Sequence, residues 1–300
     1  MKCLLSAVSV NTKSNTMTNT KTNSSKPEQH PIMIEARRCV QWNIDCGITT
    51  NDKLQTEMFK ENPSLIKYRV SLIDEEFREL TEGIEKKDLE ETWDALADLL
   101  VCTYGALATF GFRLEPIHLL TINESSRSEY LHLFDDIFKC ENEKIVTGLN
   151  EMLSSSGMKA DAKKTFCKDN ETIIIDYMKC LSNYVADIKK NIKEENMQDV
   201  CRNTVEMTHY ILCFGKVLNL DVELGMKTVN DSNYSKLCDT EAEAIKTVEW
   251  YKKNDIKRYD SPSYRRSTSG DKFVVFNKST KKILKNVNWS EPNYKQYITK

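Results

Sequence analysis

One helix constrains this chain more than any other feature. From Leu96 to Phe112 the sequence reads LADLLVCTYGALATFGF, and at about 100° per residue its apolar side chains fall on nearly every side. A helix of that kind is buried, so it sits at the centre of whatever bundle the chain builds. Asp94 and Asp98, four residues apart, share one of its faces and lie beside Gly105 and Ala106. Buried, unpaired carboxylates are costly, so positive charge is expected to meet them.

The preceding segment supplies the complement. Leu65, Tyr68, Leu72, Ile73, Phe77, Leu80 and Ile84 form one apolar stripe on a helical wheel, with Glu76 inside it and Glu79 at its edge. Gly83 and the charged run Glu85-Lys86-Lys87-Asp88 place a turn over Glu82 to Asp88, so the two helices pair antiparallel. Such a hairpin brings Glu76 and Glu79 toward Glu91, Asp94 and Asp98. Carboxylates gathered that way make an all-oxygen site suited to Mg²⁺, which also carries water and substrate phosphates. An isolated ExxE is more often a solvated acidic face. The apolar neighbours on both helices favour the site.

These residues carry a resemblance. LIDEEFREL followed by ETWDALADLLVCTYGALATFG is similar to the MazG-like, all-α nucleoside triphosphate pyrophosphohydrolases, in particular the branch resembling phosphoribosyl-ATP pyrophosphohydrolase. That family is marked by ExxE, a spacer, then ExxD. Glu76 with Glu79 and Glu91 with Asp94 fill the motif, while Glu75 and Asp98 match its accessory acids. The resemblance implies a cytoplasmic enzyme that cuts a nucleoside triphosphate into a monophosphate and pyrophosphate with Mg²⁺, or Mn²⁺ in its place. Glu76, Glu79, Glu91 and Asp94 would hold the metal, with Asp98 bound to it directly or through water. Glu75 or Glu79 would take the proton of the attacking water.

A second match lies further on. Val229 to Leu237 (VNDSNYSKL) looks like the V-x-x-S-N-x-S-K-L segment of that branch, and Lys282-Ile283-Leu284-Lys285 with Pro292 resembles its terminal K-x-L-K…P. On that resemblance Asn233, Lys236 and Lys285 are substrate contacts, since phosphate oxygens need amide and ammonium donors. Without it, SNYSK reads as an ordinary polar turn. Arg69, one helical turn before Ile73, is a further candidate for phosphate, with an ion pair to Asp74 or Glu76 as the equal alternative. Trp93, Tyr104 and Tyr234 are the aromatic residues that could stack on a base, although core packing is the better reading of all three.

The acids lie near residue 90 and the SNYSK segment near 235, and an internal repeat accounts for the gap. Ile122 to Tyr130 lines up with Val229 to Leu237, a shift of 107. Met197 to Leu220 has the apolar, Gly-interrupted character of Leu89 to Phe112. The first copy keeps the acids and has lost the donors. The second keeps the donors and offers Tyr184, Asp187, Asp199, Arg202 and Glu206 where the acids stood. The expected architecture is mainly α: a tandem-duplicated all-α helical bundle, a pseudo-dimer with one composite site, ending in a small C-terminal β-hairpin. Further pairing into a homodimer is open.

Four parts are expected: a disordered tail over 1–31, a first repeat over 32–130, a degenerate second repeat over 131–240, and a C-terminal helix and hairpin over 241–300. Asn11 to Ser25 is almost wholly Asn, Thr, Ser and Lys, which buries too little apolar surface to order itself. Met1 to Val10 is like a short signal h-region, but no clear cleavage signal follows, and secretion is not expected. With 9 Gly and 6 Pro in 300 residues the mainly α class follows. A net charge of −2 gives no general attraction to a nucleic-acid polymer, and no apolar run is long enough for a membrane span. The 10 cysteines contain no CxxC and read as reduced thiols, and His209 as a core histidine. Lys272 to Asn277 and Lys282 to Val287 read as the two strands of the hairpin. Thr240 with Glu243 reads as a capping box opening a helix to Lys253.

The competing reading is a catalytically inactive helical nucleotide-binding or interaction module, motivated by divergence in both copies. The complete acidic set in the first copy argues for the enzyme. An enzyme cutting phosphoribosyl-ATP itself would share the metal site.

Overall fold

The computed structural model describes residues 31–112, 159–254 and 257–299; the N-terminal tail and the Ile122 to Tyr130 segment lie outside them. Helix α1 (Pro31–Asp45) and the single turn α2 (Met58–Glu61) lead into the hairpin of α3 (Pro63–Lys86) and α4 (Leu89–Phe110). Asn62 caps α3 by accepting from the Leu65 amide, with Pro63 in the first turn. The link is tighter than the sequence implied. Glu85 and Lys86 are good helix formers and continue α3, Lys87 alone takes the left-handed conformation (φ 53°), and Asp88 caps α4 by accepting from the Glu90 and Glu91 amides, each at 3.1 Å. Gly83 lets the helices close here, because a Cβ at that position would lie 2.9 Å from the Thr92 nitrogen.

Helix α4 is buried along nearly its whole length, as its apolar character requires. The buried face of α3 is rotated from the expected stripe: Ile66, Arg69, Val70, Ile73, Leu80 and Gly83 point inward, while Tyr68 is 40% exposed. The rotation accommodates Arg69, whose guanidinium finds hydrogen-bond partners inside.

After α5 (Ala162–Thr165), a second hairpin follows, α6 (Lys168–Lys193) and α7 (Met197–Val217), and then α8 (Val222–Tyr234). Helix α4 touches α1, α3, α7 and α8, and α3 touches α6. One apolar core runs through the hairpins, with Trp93, Leu96, Leu100, Leu107, Leu181, Ile188, Phe214 and Met226 in it. His209 is buried in α7 as expected, and burial pushes its pKa down to about 4, so it is neutral. The described cysteines are free thiols, and no described helix is long and apolar enough to cross a membrane.

Helix α9 (Glu241–Lys253) opens on Thr240, whose hydroxyl accepts from the Glu243 amide at 3.2 Å; Glu243 reaches back one residue beyond the cap, to the Asp239 amide at 2.9 Å. The sheet that follows corrects the expected pairing. β2 (Phe273–Asn277) pairs antiparallel with β1 (Pro262–Arg266), Tyr264 opposite Val275. The 282–287 segment contributes a bridge between Phe276 and Ile283 and a bond from the Leu284 amide to the Val275 carbonyl at 2.9 Å. It then leaves the sheet because Asn286 donates to the Ser235 and Leu237 carbonyls, both at 2.9 Å, which draws the chain toward α8. Cys238, Ala244, Val248, Tyr251, Phe273, Val275 and Leu284 close a small core between α9 and the sheet.

Candidate active site

The α3–α4 hairpin brings five acids into one electrostatic neighbourhood. Glu76, part-buried on α3, is pushed well above the carboxylate range, first by burial and then by Asp98, Glu79, Glu75 and Asp94. Glu79 is raised by burial, then by Glu75 and Glu91. Asp94 is raised by burial and by Glu91 and Glu79, against a hydrogen bond from Tyr294 that lowers it. Asp98 is raised by burial and by Asp94, with Lys236 pulling the other way. Glu76, Glu79, Asp94 and Asp98 are therefore each made harder to ionise by acidic neighbours, the signature of a site short of positive charge.

Asp94 Oδ1 is buried and has no hydrogen-bond partner. A carboxylate oxygen in that state is costly unless something else takes it. The donor set is all oxygen, the chemistry of a hard divalent cation. Among the described residues, no three His, Cys, Asp or Glu side chains stand close enough to hold an ion as they are. A cation here would thus draw further ligands from water and phosphate, as Mg²⁺ characteristically does.

Donors arrive from the other side. At the end of α8, Lys236 Nζ donates to Asn233 Oδ1 at 2.6 Å and lies 5.9 Å from the centroid of the Trp42 ring. Trp42 Nε1 in turn donates to the Asn233 carbonyl at 2.9 Å. Burial lowers the pKa of Lys236 while Asp98 raises it, so the ammonium is in the field of the acids. Lys285 sits over the Trp289 ring at 3.4 Å; its pKa is lowered by burial, and Asp94 is among the groups opposing that shift. The acids of α3 and α4 and the donors Asn233, Lys236 and Lys285 are thereby brought together from distant parts of the chain.

Arg69 is placed elsewhere, a correction to its reading as a phosphate contact or a partner of Asp74 or Glu76. It is 4% exposed; Nε donates to Thr109 Oγ1 and Nη2 to Asn43 Oδ1, both at 2.8 Å. Asp74 pairs with Lys189 of α6 instead. Trp93 and Tyr104 are core residues, and Tyr234 is engaged with α1, its hydroxyl donating to the Arg38 carbonyl at 3.2 Å. Sequence reasoning missed Trp42, Trp289 and Tyr294. The two tryptophans carry a weak signal, the rarity of Trp (4 in the chain); Tyr294 carries none that is local.

Residues 50–119 match the phosphoribosyl-ATP pyrophosphohydrolase family model. The matched stretch contains α3 and α4 whole, with all five acids, and so bears out the resemblance carried by LIDEEFREL and ETWDALADLL. Asn233, Lys236 and Lys285 lie beyond it. An uncharacterised protein of Acanthamoeba polyphaga mimivirus is similar to the chain over 260 residues, at 28% identity, covering 86% of this chain and 93% of its own length. No solved structure matches. The similarity to the mimivirus protein thus extends far past the family stretch. The acidic hairpin thus lies in a stretch similar to a family of pyrophosphohydrolases, which supports a hydrolase at that coarse level.

Proposed function

We propose that this chain is a Mg²⁺-dependent nucleoside triphosphate pyrophosphohydrolase, converting a ribo- or deoxyribonucleoside triphosphate, or a related nucleotide, to the monophosphate and pyrophosphate. One observation carries the reading: on the family-matched hairpin Glu76, Glu79, Asp94 and Asp98 are pushed up by burial and by neighbouring acids, Asp94 Oδ1 is orphaned among them, and Lys236 lies in the field of Asp98. Glu76, Glu79, Glu91 and Asp94 would hold the metal, with Asp98 beside it. When bound, Mg²⁺, or Mn²⁺ in its place, supplies neutralisation of the triphosphate charge and Lewis-acid polarisation of its phosphoryl groups.

The chain's own residues do the rest. Lys236 and Lys285 bind phosphate oxygens with ammonium donors, and the Asn233 amide adds a neutral one. Glu79, raised toward the working pH range, accepts a proton from the attacking water, with Glu75 one turn away as the alternative base. The water oxygen bonds to the α-phosphorus, the bond to the bridging oxygen breaks, and pyrophosphate leaves with that electron pair.

The second hairpin supports a single site in a duplicated chain. At a constant shift of 108, the left-handed Lys87, the cap Asp88 and the left-handed Gly111 correspond to Glu195, Asn196 and Asn219, which play the same parts. At the same shift the acids correspond to Tyr184, Asp187, Asp199, Arg202 and Glu206. Arg202 pairs with Asp199, and Tyr184 hydrogen-bonds Glu206, so these positions neutralise one another and leave little demand for a cation.

The test is pyrophosphate release from the eight common nucleoside triphosphates and from phosphoribosyl-ATP, with and without Mg²⁺, for the intact chain, Glu79→Gln and Lys236→Ala. Metal-dependent release lost in Glu79→Gln and weakened in Lys236→Ala is expected. A folded, Mg²⁺-loaded protein that releases none would leave the inactive binding module as the better reading.

A further inference from the structure

The C-terminal tail is tied to both halves of the site. Beyond the two bonds from Asn286, Trp289 Nε1 donates to Ser232 Oγ and the Ser290 amide to Ser235 Oγ, each at 3.1 Å. These contacts hold the tail against the donor segment at the end of α8. The chain then carries Tyr294 to α4, where its ring is 1% exposed and lies 5.1 Å from the ring of Trp93. Trp93 is itself fixed, since Nε1 donates to the Asp221 carbonyl at 3.1 Å. Helix α8 passes so close that a Cβ on Gly225 would fall 2.8 Å from the same nitrogen.

The phenolic hydroxyl lies between the Gly225 carbonyl and the acidic centre. Its hydrogen bond runs to the Gly225 carbonyl at 3.4 Å, a long bond, and the Asp94 carboxylate is near enough for the hydroxyl to lower its pKa. Asp94 Oδ1 is buried without a donor.

We propose that Tyr294 is a positioning residue for the acidic centre: its hydroxyl fixes the Asp94 carboxylate in the orientation in which a divalent cation takes it, and the tail from Asn286 to Tyr294 couples the donor segment to the acids. The assignment rests on the reading of the site as metal-dependent. It explains why a tail residue is packed as tightly as any core aromatic, against the residue preceding the orphaned aspartate. A purely structural tail would need the ring on Trp93 and no more of the hydroxyl than its long bond to Gly225.

Tyr294→Phe keeps the ring and removes only the hydroxyl. Mn²⁺ binding to the full chain, followed by electron paramagnetic resonance without nucleotide, is expected to weaken about tenfold, as for loss of one hydrogen bond to a charged group. In turnover, kcat is expected to fall with KM nearly unchanged. Tyr297→Phe is the control: its ring also flanks Trp93, at 6.4 Å, and both readouts should stay at the wild-type level. If Tyr294→Phe lowers the stability of the metal-free protein, the Mn²⁺-induced rise in melting temperature, taken against each variant's own baseline, carries the comparison. Equal Mn²⁺ affinity in Tyr294→Phe and wild type, or equal weakening in Tyr297→Phe, overturns the assignment. Wild type that binds Mn²⁺ but cleaves no nucleotide, with Tyr294→Phe binding it more weakly, would sink the pyrophosphohydrolase reading and leave this one standing. Wild type that cleaves nucleotide, with Tyr294→Phe unchanged, would do the reverse. No Mn²⁺ binding by wild type would end both.

Discussion

Lys236 Nζ donates to Asn233 Oδ1 at 2.6 Å, and the same ammonium lies in the field of Asp98. The pair is held from below by Trp42, which takes the Asn233 carbonyl as its hydrogen-bond acceptor and lends its ring face to the lysine. A flexible cation is thus anchored at the rim of a carboxylate cluster, where a polyphosphate that brings its own negative charge would otherwise be repelled.

Lys236→Met keeps the apolar stem and removes the charge. A hydrogen bond from a charged donor contributes about 1.5–3 kcal/mol, so kcat/KM is expected to fall by roughly ten- to a hundredfold. Steady-state kinetics at saturating Mg²⁺ check it. Activity within twofold of wild type would remove Lys236 from the substrate site.

Arg69 should behave in the opposite way. Its partners Asn43 and Thr109 are buried with it, and each buried polar group left unsatisfied costs about 1–3 kcal/mol. Arg69→Met is therefore expected to lose about 2–4 kcal/mol of stability in denaturant unfolding, while the folded fraction keeps its KM for nucleotide. A raised KM at unchanged stability would return Arg69 to the role the sequence first gave it.

What was legible in the sequence was local. The all-round apolar character of α4 and the charges that interrupt it depend on the spacing of neighbours, and so did the hairpin and its acids. Arg69 was misread because a helical wheel registers an arginine as a polar position; it cannot show that Asn43 and Thr109 would solvate it inside. The β2 partner was misread because Phe273 to Asn277 accepts either flanking segment, and the choice is made by Asn286 bonding to Ser235 and Leu237. Tyr294 was invisible for the same reason. Its role depends on Asp94, 200 positions away, and no periodicity links them.

The acids make stability depend on pH in a defined direction. Glu76, Asp94 and Asp98 are held above the ordinary carboxylate range by burial and by one another. The folded protein therefore keeps protons that the unfolded chain, with carboxylates near 4, has released. This contribution is fully present below about pH 4 and is lost as pH rises through the raised values toward neutrality and beyond. Without metal, the melting temperature should be lower at pH 8 than at pH 6, and Mg²⁺ should raise it more at pH 8, where the ligands are ionised. Glu76→Gln should flatten the metal-free slope. Melting by circular dichroism across that range, with and without Mg²⁺, decides it; a metal-free protein that gains stability between pH 6 and 8 would contradict the assignment.

The second hairpin gives the last expectation. Its counterpart positions hold an Arg202–Asp199 ion pair and a Tyr184–Glu206 hydrogen bond. Burial raises Glu206, but the Tyr184 bond and Arg202 both act to lower it, and no Glu206 oxygen is left orphaned as Asp94 Oδ1 is. One metal–nucleotide site per chain follows, and Glu206→Gln should leave turnover unchanged because nothing there needs an ionised carboxylate to receive a cation. Calorimetric titration of the Mg²⁺-loaded chain with a non-hydrolysable triphosphate should give a stoichiometry of one. A value of two, reduced to one by Glu206→Gln, would mean that the second constellation opens to bind in solution and that both hairpins work.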